Sequence, residues 1–153
     1  MLPLDAVGKA IDAPRPCDLS GLLAPLERRF ASPNIEGAAV VGDEFCLLQR
    51  GNRKSRQNAL IRYRLQPLLD AFGAGHPIPV VEPVSVQPVE LGAIDDVPLC
   101  FTDVAVLPAG ELMFSAVAED TADSYLDGPC SAAAIGIMSR EGELRCLHSN
   151  DGG

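Results

Sequence analysis

Polar residues with ligand-binding chemistry stand at both ends of one short stretch, PNIEGAAVVGDEFCLLQRGN, residues 33–52. Asn34 and Glu36 precede its first apolar run, and Arg50 and Asn52 follow its second. Carboxylate and amide oxygens are the ligands that calcium prefers, and an arginine binds anions through charge-assisted hydrogen bonds. These residue types fit a cation site beside an anionic substrate, provided that the fold brings the two ends together.

A Gly-Asp pair between the two apolar runs predicts a β-hairpin. In an antiparallel hairpin the start of the first strand lies beside the end of the second. The hairpin is therefore expected to place Asn34 and Glu36 near Arg50 and Asn52.

A second hairpin repeats the pattern. Aligning EGAAVVGDEF, residues 36–45, with DVAVLPAGEL, residues 103–112, places an acid first, then an apolar strand, a turn and a glutamate. By the same geometry Asp103 is expected beside Glu119 and Asp120. A third hairpin, SAAAIGIMSREGELRCLH, shares the turn of the second but lacks the leading acid.

The remaining segments complete the predicted elements. NALIRYRLQ and SVQPVELG predict a third strand and a proline-limited edge strand. DLSGLLAPLERRF, residues 18–30, predicts a helix with Asp18 or Ser20 as its cap, and residues 66–73 predict one or two further turns. Gly110 and Gly142 occupy equivalent turn positions, where glycine tolerates a positive φ.

Together these elements predict an all-β protein with one short helix near the N-terminus. The 67 residues from Glu36 to Asp103 hold four strands, which is typical of a β-propeller blade. We expect one propeller-like unit over residues 1–153. It comprises a leading strand and helix over 1–30, blade one over 31–99 and blade two over 100–153.

Three stretches, NIEGAAVVGDEFCLLQRGN, CFTDVAVLPAGELMFSAVAEDT and DGPCSAAAIGIMSREGEL, together resemble an uncharacterised bacterial family of β-propellers. That family is akin to phytase-like and lactonase-like six-bladed proteins. The resemblance implies a metal at the channel mouth that polarises a phosphoryl or carbonyl oxygen. Family members carry further acidic strand motifs on both sides of this region. The sequence is thus expected to be a fragment of a larger propeller, or a unit of which three copies close a six-bladed ring.

The candidate site follows from the hairpin ends, and two interpretations remain open. In the first, four acids hold calcium and two residues bind a small anionic ligand: Glu36, Asp103, Glu119 and Asp120 for the metal, and Arg50 and Asn52 for the ligand. In the second, Arg50 forms an ion pair with an acid and keeps adjacent blades in register. No residue is assigned a catalytic role. The predicted function is a non-catalytic ligand or interaction module with a polar channel-mouth face. The alternative is a calcium-dependent hydrolase of phosphoesters, esters or lactones.

Composition limits the partners. A net charge of −9 argues against nucleic acid. No apolar run is long enough to span a membrane, and the N-terminus lacks an export signal, so a cytoplasmic protein is expected if Met1 is the natural start. The five cysteines form no close pairs, and most of them are expected to be reduced core thiols. Six of the twelve basic residues lie in residues 50–64, whereas residues 65–139 hold eleven acids and no Lys or Arg. The two regions are expected either to bind separate ions or to pair with each other.

Overall fold

Two antiparallel β-sheets form the body of the protein in the computed structural model, which describes residues 4–13, 16–51, 57–74, 77–119 and 130–151. The first sheet has the order β1-β2-β3-β4, with strands Ile35–Val41, Glu44–Gln49, Ala59–Arg64 and Ser85–Pro88. The second has the order β5-β6-β7-β8-β9, with strands Ala93–Ile94, Val97–Val106, Leu112–Glu119, Cys130–Met138 and Leu144–Asp151. The predicted all-β class is confirmed, with two short helices in the described residues rather than one: α1, Ser20–Glu27, and α2, Leu65–Ala74.

The hairpin turns follow from their glycines. In the β6–β7 turn the N–H of Leu107 donates to the carbonyl of Glu111, and Gly110 adopts a φ of +83°. The β8–β9 turn repeats this bond from Ser139 to Glu143, and Gly142 has a φ of +86°. Only glycine adopts this backbone conformation without steric cost, so the predicted equivalence of the two turns is confirmed.

Both helices cover one face of the first sheet. The carboxylate of Asp18 accepts hydrogen bonds from the backbone N–H and the hydroxyl of Ser20, at 2.9 and 2.6 Å. The N-cap position itself is Leu19, which makes no side-chain cap, so neither predicted residue caps the helix directly.

The chain passes from β3 into α2 without a loop. No helix among the described residues is long and apolar enough to cross a membrane.

Two apolar clusters stabilise this arrangement. One lies between the sheets and includes the rings of Phe101 and Phe114, which meet edge to face with centroids 5.0 Å apart. The other lies between the first sheet and the helices, around Leu26, Ile61 and Tyr63. The first sheet is therefore buried on both faces, which explains why β2 shows almost no polar alternation.

A β-bulge interrupts the leading strand of the β1–β2 hairpin and of the β6–β7 hairpin. Glu36 lies between the pairs Ile35↔Gln49 and Gly37↔Leu48 and has no partner across the strand. Thr102 occupies the same place, between the pairs Phe101↔Ala116 and Asp103↔Ser115. Superposing the bulges makes Thr102 the equivalent of Glu36, and Asp103 the equivalent of Gly37. The predicted equivalence of Glu36 with Asp103 is one residue off. Five residues separate Val106 from its partner Leu112, whereas four separate the equivalent pair, Val40 and Phe45.

This register shows how the two sheets pack. The side of the first sheet that meets the second sheet is called the front face. It carries Ala39, Cys46, Leu48 and Leu60. The back face of the first sheet meets the helices, with Phe45, Leu47 and Ile61. In the second sheet the back-face equivalents, Leu112 and Phe114, contact the first sheet. The sheets therefore pack head to tail, with the back face of the second on the front face of the first.

The N-terminal segment does not form the predicted leading strand within its described part. Residues 4–13 contain turns and an isolated bridge between Leu4 and Ala10. The strands of the first sheet lie within residues 35–88 and those of the second within residues 93–151. The predicted blade boundary at residue 99/100 thus falls inside β6.

Candidate functional site

Four of the predicted polar residues meet where β1 begins and β2 ends. The backbone N–H of Arg50 donates to the carbonyl of Asn34 at 2.8 Å, and the Asn34 side chain donates to Glu36 Oε1 at 3.0 Å. Arg50 Nη2 lies 2.6 Å from Glu119 Oε2, and its Nη1 lies 3.8 Å from Glu36 Oε1. We call Asn34, Glu36, Arg50 and Glu119 the Arg50 cluster. It joins the first sheet to the second.

A buried glutamine holds the first-sheet part of this cluster. Gln49 is fully buried, and its Oε1 accepts the backbone N–H of Asn34 at 2.9 Å. Its amide nitrogen donates to the carbonyl of Arg50. The β1 bulge leaves Glu36 outside the regular pairing. These bonds fix the backbone on both sides of the Arg50 side chain.

The cluster places one guanidinium between two carboxylates, so its formal charge is −1. The Arg50 side chain is 17% exposed, and the side chains of Glu119 and Glu36 are 19% and 32% exposed. Both terminal nitrogens of the guanidinium face a carboxylate, so an anionic ligand would have to compete with Glu36 and Glu119 for Arg50. Burial raises the pKa of the neighbouring Cys100 thiol, while the positive charge of Arg50 lowers it. In the structure Arg50 ties the two sheets together.

The structure does not bring Asp103 to this cluster. Asp103 pairs with Ser115, four residues before Glu119 on β7, which corresponds to ~13 Å along the strand. The reason is that β6 begins at Val97, so Asp103 lies in the middle of the strand rather than at its start. Its exposed carboxylate accepts the backbone N–H of Val104 at 2.7 Å.

The remaining two predicted site residues cannot be located. Asn52 and Asp120 lie outside the described residues. Among the residues that the structure describes, no group of three or more His, Cys, Asp or Glu side chains is arranged to hold a metal ion. Glu36 and Glu119, the two predicted ligands that do approach one another, share Arg50 between them.

A buried asparagine that sequence reasoning missed provides a second tie between the sheets. Asn58 Oδ1 accepts the backbone N–H groups of Gly51 and Phe101, at 2.9 and 3.3 Å. Its Nδ2 donates to the carbonyl of Leu99 at 2.8 Å. The one sequence sign of this role is an amide directly before the apolar strand ALIRYR. Asn58 satisfies polar backbone groups that the sheet interface would otherwise bury without partners.

A third tie lies at the opposite end of the sheets. Arg140, from the β8–β9 turn, donates to Glu44 at 3.2 Å and to Asp43 at 3.1 Å in the β1–β2 turn. Arg64 binds the other oxygen of Asp43 at 2.8 Å. The hydrogen bond to Glu44 is the main reason that the pKa of Arg140 is raised. Charged ties therefore join the two sheets at both ends.

The fold and these contacts define the class: an all-β protein of two antiparallel sheets, packed head to tail and joined by polar ties. The chain belongs to a family of unknown function (DUF6910), whose model matches residues 1–151. A search of curated proteins and a search of solved structures each found no match. The resemblance to phytase-like and lactonase-like propellers stays a prediction.

Proposed function

We propose that this protein is a non-catalytic interaction module of propeller-type blades, whose second sheet receives a further antiparallel β-sheet on its front face. The observation that carries the proposal is the head-to-tail packing. The front face of the first sheet is covered by the second sheet. The equivalent face of the second sheet carries exposed apolar side chains.

Equivalent residues show the difference between the two front faces. Leu60 is 0% exposed on the first sheet, whereas its equivalent on the second, Ile135, is 58% exposed. Cys46 is 1% exposed, and its equivalent Met113 is 39% exposed. A shallow pocket of about 130 Å³ lies beside Ile135 and is also lined by Ser115. Contiguous exposed apolar surface of this kind marks interaction sites.

The occupant is a sheet whose docking side has the chemistry of the second sheet's back face. That face presents Val104, Leu112 and Phe114 to the first sheet. A second copy of this chain has no such face free, because its helices cover one back face and its own first sheet covers the other. A ring of three copies would therefore require α1 and α2 to leave the first sheet. A further blade of the same repeat needs no such rearrangement.

The Arg50 cluster supports the non-catalytic part of the proposal. A calcium-dependent hydrolase would need Glu36 and Glu119 to bind a cation while Arg50 held the substrate. In the described structure both carboxylates contact Arg50 instead. Ion pairs of this kind fix the relative position of two structural units.

The proposal is tested by adding a further sheet to the chain. A second copy of residues 89–151 is fused after Asp151, so that the connection between the first two sheets is repeated. The substitution Ile135→Cys, made in the original sheet only, reports whether the front face is covered. Its rate of thiol labelling is followed by peptide mapping, because the chain also has native free cysteines. We expect rapid labelling in the ordinary chain and protection in the extended chain. The exposed Ala31→Cys serves as the control and should label equally in both.

A matched extension carries Phe114→Asp in the added sheet alone, which removes the ring from the proposed docking side. Protection of the Ile135→Cys thiol should then disappear. Equal labelling of that thiol in the ordinary and extended chains, with the added sheet folded by circular dichroism, would contradict the proposal. Light scattering of the ordinary chain tests the ring of copies, since a discrete trimer would favour it over a further blade.

A further inference from the structure

An apolar pocket of about 450 Å³ lies between the back face of the first sheet and the two helices. Nine of its ten lining residues are apolar, among them Leu23 of α1, Phe72 of α2, and Ala38 and Phe45 of the sheet. The tenth is Glu27, at the end of α1. Small-molecule sites have volumes of about 300–1,000 Å³ and mostly apolar walls with few polar groups. The pocket has the size and the lining of such a site.

The pocket exists because the helices replace a sheet on this face. On the second sheet the equivalent positions hold Val104 and Phe114, which pack against the first sheet. On the first sheet they hold Ala38 and Leu47, which are smaller. Helices of eight and ten residues cover these shorter side chains incompletely. The space left between the helices and the sheet is the pocket.

The wall formed by α1 is fixed independently of any ligand. Gly21 packs so closely on the chain opposite that a Cβ there would lie 2.0 Å from the carbonyl oxygen of Ile78. The N–H of Val81 donates to the Gly21 carbonyl at 3.1 Å, and the hydroxyl of Tyr63 donates to the Leu22 carbonyl at 2.9 Å. The helix cannot approach the sheet more closely without breaking these contacts. The pocket is therefore preformed.

We propose that this pocket binds the hydrocarbon chain of a small amphipathic amine, with the ammonium group near Glu27. The apolar walls select the chain, and among the described residues of the lining the Glu27 carboxylate is the only charged group. The next residue, Arg28, is paired with Glu82. The chain as a whole has a net charge of −9, which disfavours an anionic head group. This site is separate from the front face and does not depend on the function proposed for that face.

The head-group preference is measured by displacing a neutral fluorescent probe, N-phenyl-1-naphthylamine, with decylamine, decanol or decanoate below their micelle concentrations. At pH 7 the amine is protonated and the carboxylate is ionised. Because Glu27 is exposed, we expect decylamine to bind about two- to fivefold more tightly than decanol, and decanoate more weakly than decanol. Glu27→Gln should remove this preference and leave decanol binding unchanged. Decanoate binding as tightly as decylamine would overturn the assignment of the head group.

The location is measured by filling the pocket. Ala38→Phe adds a ring to an exposed strand position in the lining, and we expect it to weaken decylamine binding by about tenfold or more. Ala93→Phe adds the same ring to an exposed position of β5 and should leave binding unchanged. Leu23→Trp narrows the pocket from the helix side and keeps the test decisive if the first variant does not fold. Unchanged binding in a folded Ala38→Phe or Leu23→Trp variant would overturn the proposal.

Discussion

Replacing Arg50 by methionine tests the tie between the sheets most simply. The change keeps the unbranched part of the side chain as far as the position of Nε and leaves Glu36 and Glu119 without their shared cation. Unit charges about 4 Å apart attract by ~4 kcal/mol at an effective dielectric constant of about 20. Removing one partner of a buried pair costs about 3–5 kcal/mol, because the remaining charge stays desolvated. With the three side chains 17–32% exposed, we expect Arg50→Met to lower the free energy of unfolding by about 3 kcal/mol.

Urea denaturation followed by far-ultraviolet circular dichroism measures this loss, since the protein has no tryptophan for fluorescence. Arg28→Met is the matched control, because Arg28 and Glu82 form an exposed pair whose expected contribution is about 0–1 kcal/mol. Adding Glu119→Gln to Arg50→Met should recover part of the stability. Equal losses for Arg50→Met and Arg28→Met would refute the assignment of Arg50 as a partly buried tie between the sheets.

The same assay separates the tie from a calcium site. If Glu36 stabilises the protein through Arg50, Glu36→Gln lowers the free energy of unfolding equally with calcium and with a chelator. If Glu36 binds calcium, the loss is confined to the calcium-containing buffer. A calcium-dependent loss would support the hydrolase alternative.

Three further predictions concern packing and ionisation. Asn58→Ala should destabilise the protein by about 2–3 kcal/mol in urea denaturation, because it leaves buried backbone groups without partners; a loss below about 0.5 kcal/mol would contradict this. Gly21→Ala should lower the melting temperature, because the added Cβ would overlap backbone atoms of Ile78 and Pro79. At Gly73 the added Cβ has no atom within 4 Å, so Gly73→Ala should raise the free energy of unfolding by about 0.5–1 kcal/mol. Burial raises the pKa of Cys46 from 9.0 to about 11 and that of Tyr63 from 10.0 to about 12. Burial favours the neutral thiol and the neutral phenol in the folded protein. The contribution of these two groups to the free energy of unfolding is therefore fully present below pH 9 and is lost as the pH rises towards 12. A flat stability profile between pH 9 and 12 would be inconsistent with their burial.

The hairpins could be predicted from the sequence because their determinants are local. Apolar runs, turn glycines and an edge proline lie within a few residues of the elements that they specify. The order of strands in both sheets follows from these local units. The second helix, Leu65–Ala74, was predicted only as one or two turns because it has no separating loop from β3.

The register could not be predicted in this way. The bulges at Glu36 and Thr102 leave no mark in composition, yet each moves the pairing by one residue and exchanges the faces of the sheet. The sequence predicts Asp103 at a strand start, because an acid opens the aligned stretch. The strand instead extends back to Val97, since Leu99 and Phe101 are drawn into the core between the sheets.

Contacts between distant segments also could not be predicted from the sequence. Asn58 binds backbone groups 41 and 43 residues away, at Leu99 and Phe101, and no local pattern specifies such partners. The sequence predicts, as one of two interpretations, that Arg50 pairs with an acid and keeps adjacent blades in register, but it does not specify which acid. The partner is Glu119 because the second sheet packs on the first and brings the end of β7 to Arg50.

Disulfide formation between the sheets tests the head-to-tail packing most directly. A Cβ at Gly37 would lie 3.3 Å from the Cβ of Val104, close to the ~3.5–4.5 Å of disulfides. We predict that Gly37→Cys with Val104→Cys forms a disulfide on mild oxidation, identified by peptide mapping. Gly37→Cys with Ala105→Cys should not, because Ala105 points to the exposed front face of the second sheet. A disulfide in the Ala105 variant and none in the Val104 variant would contradict the head-to-tail packing.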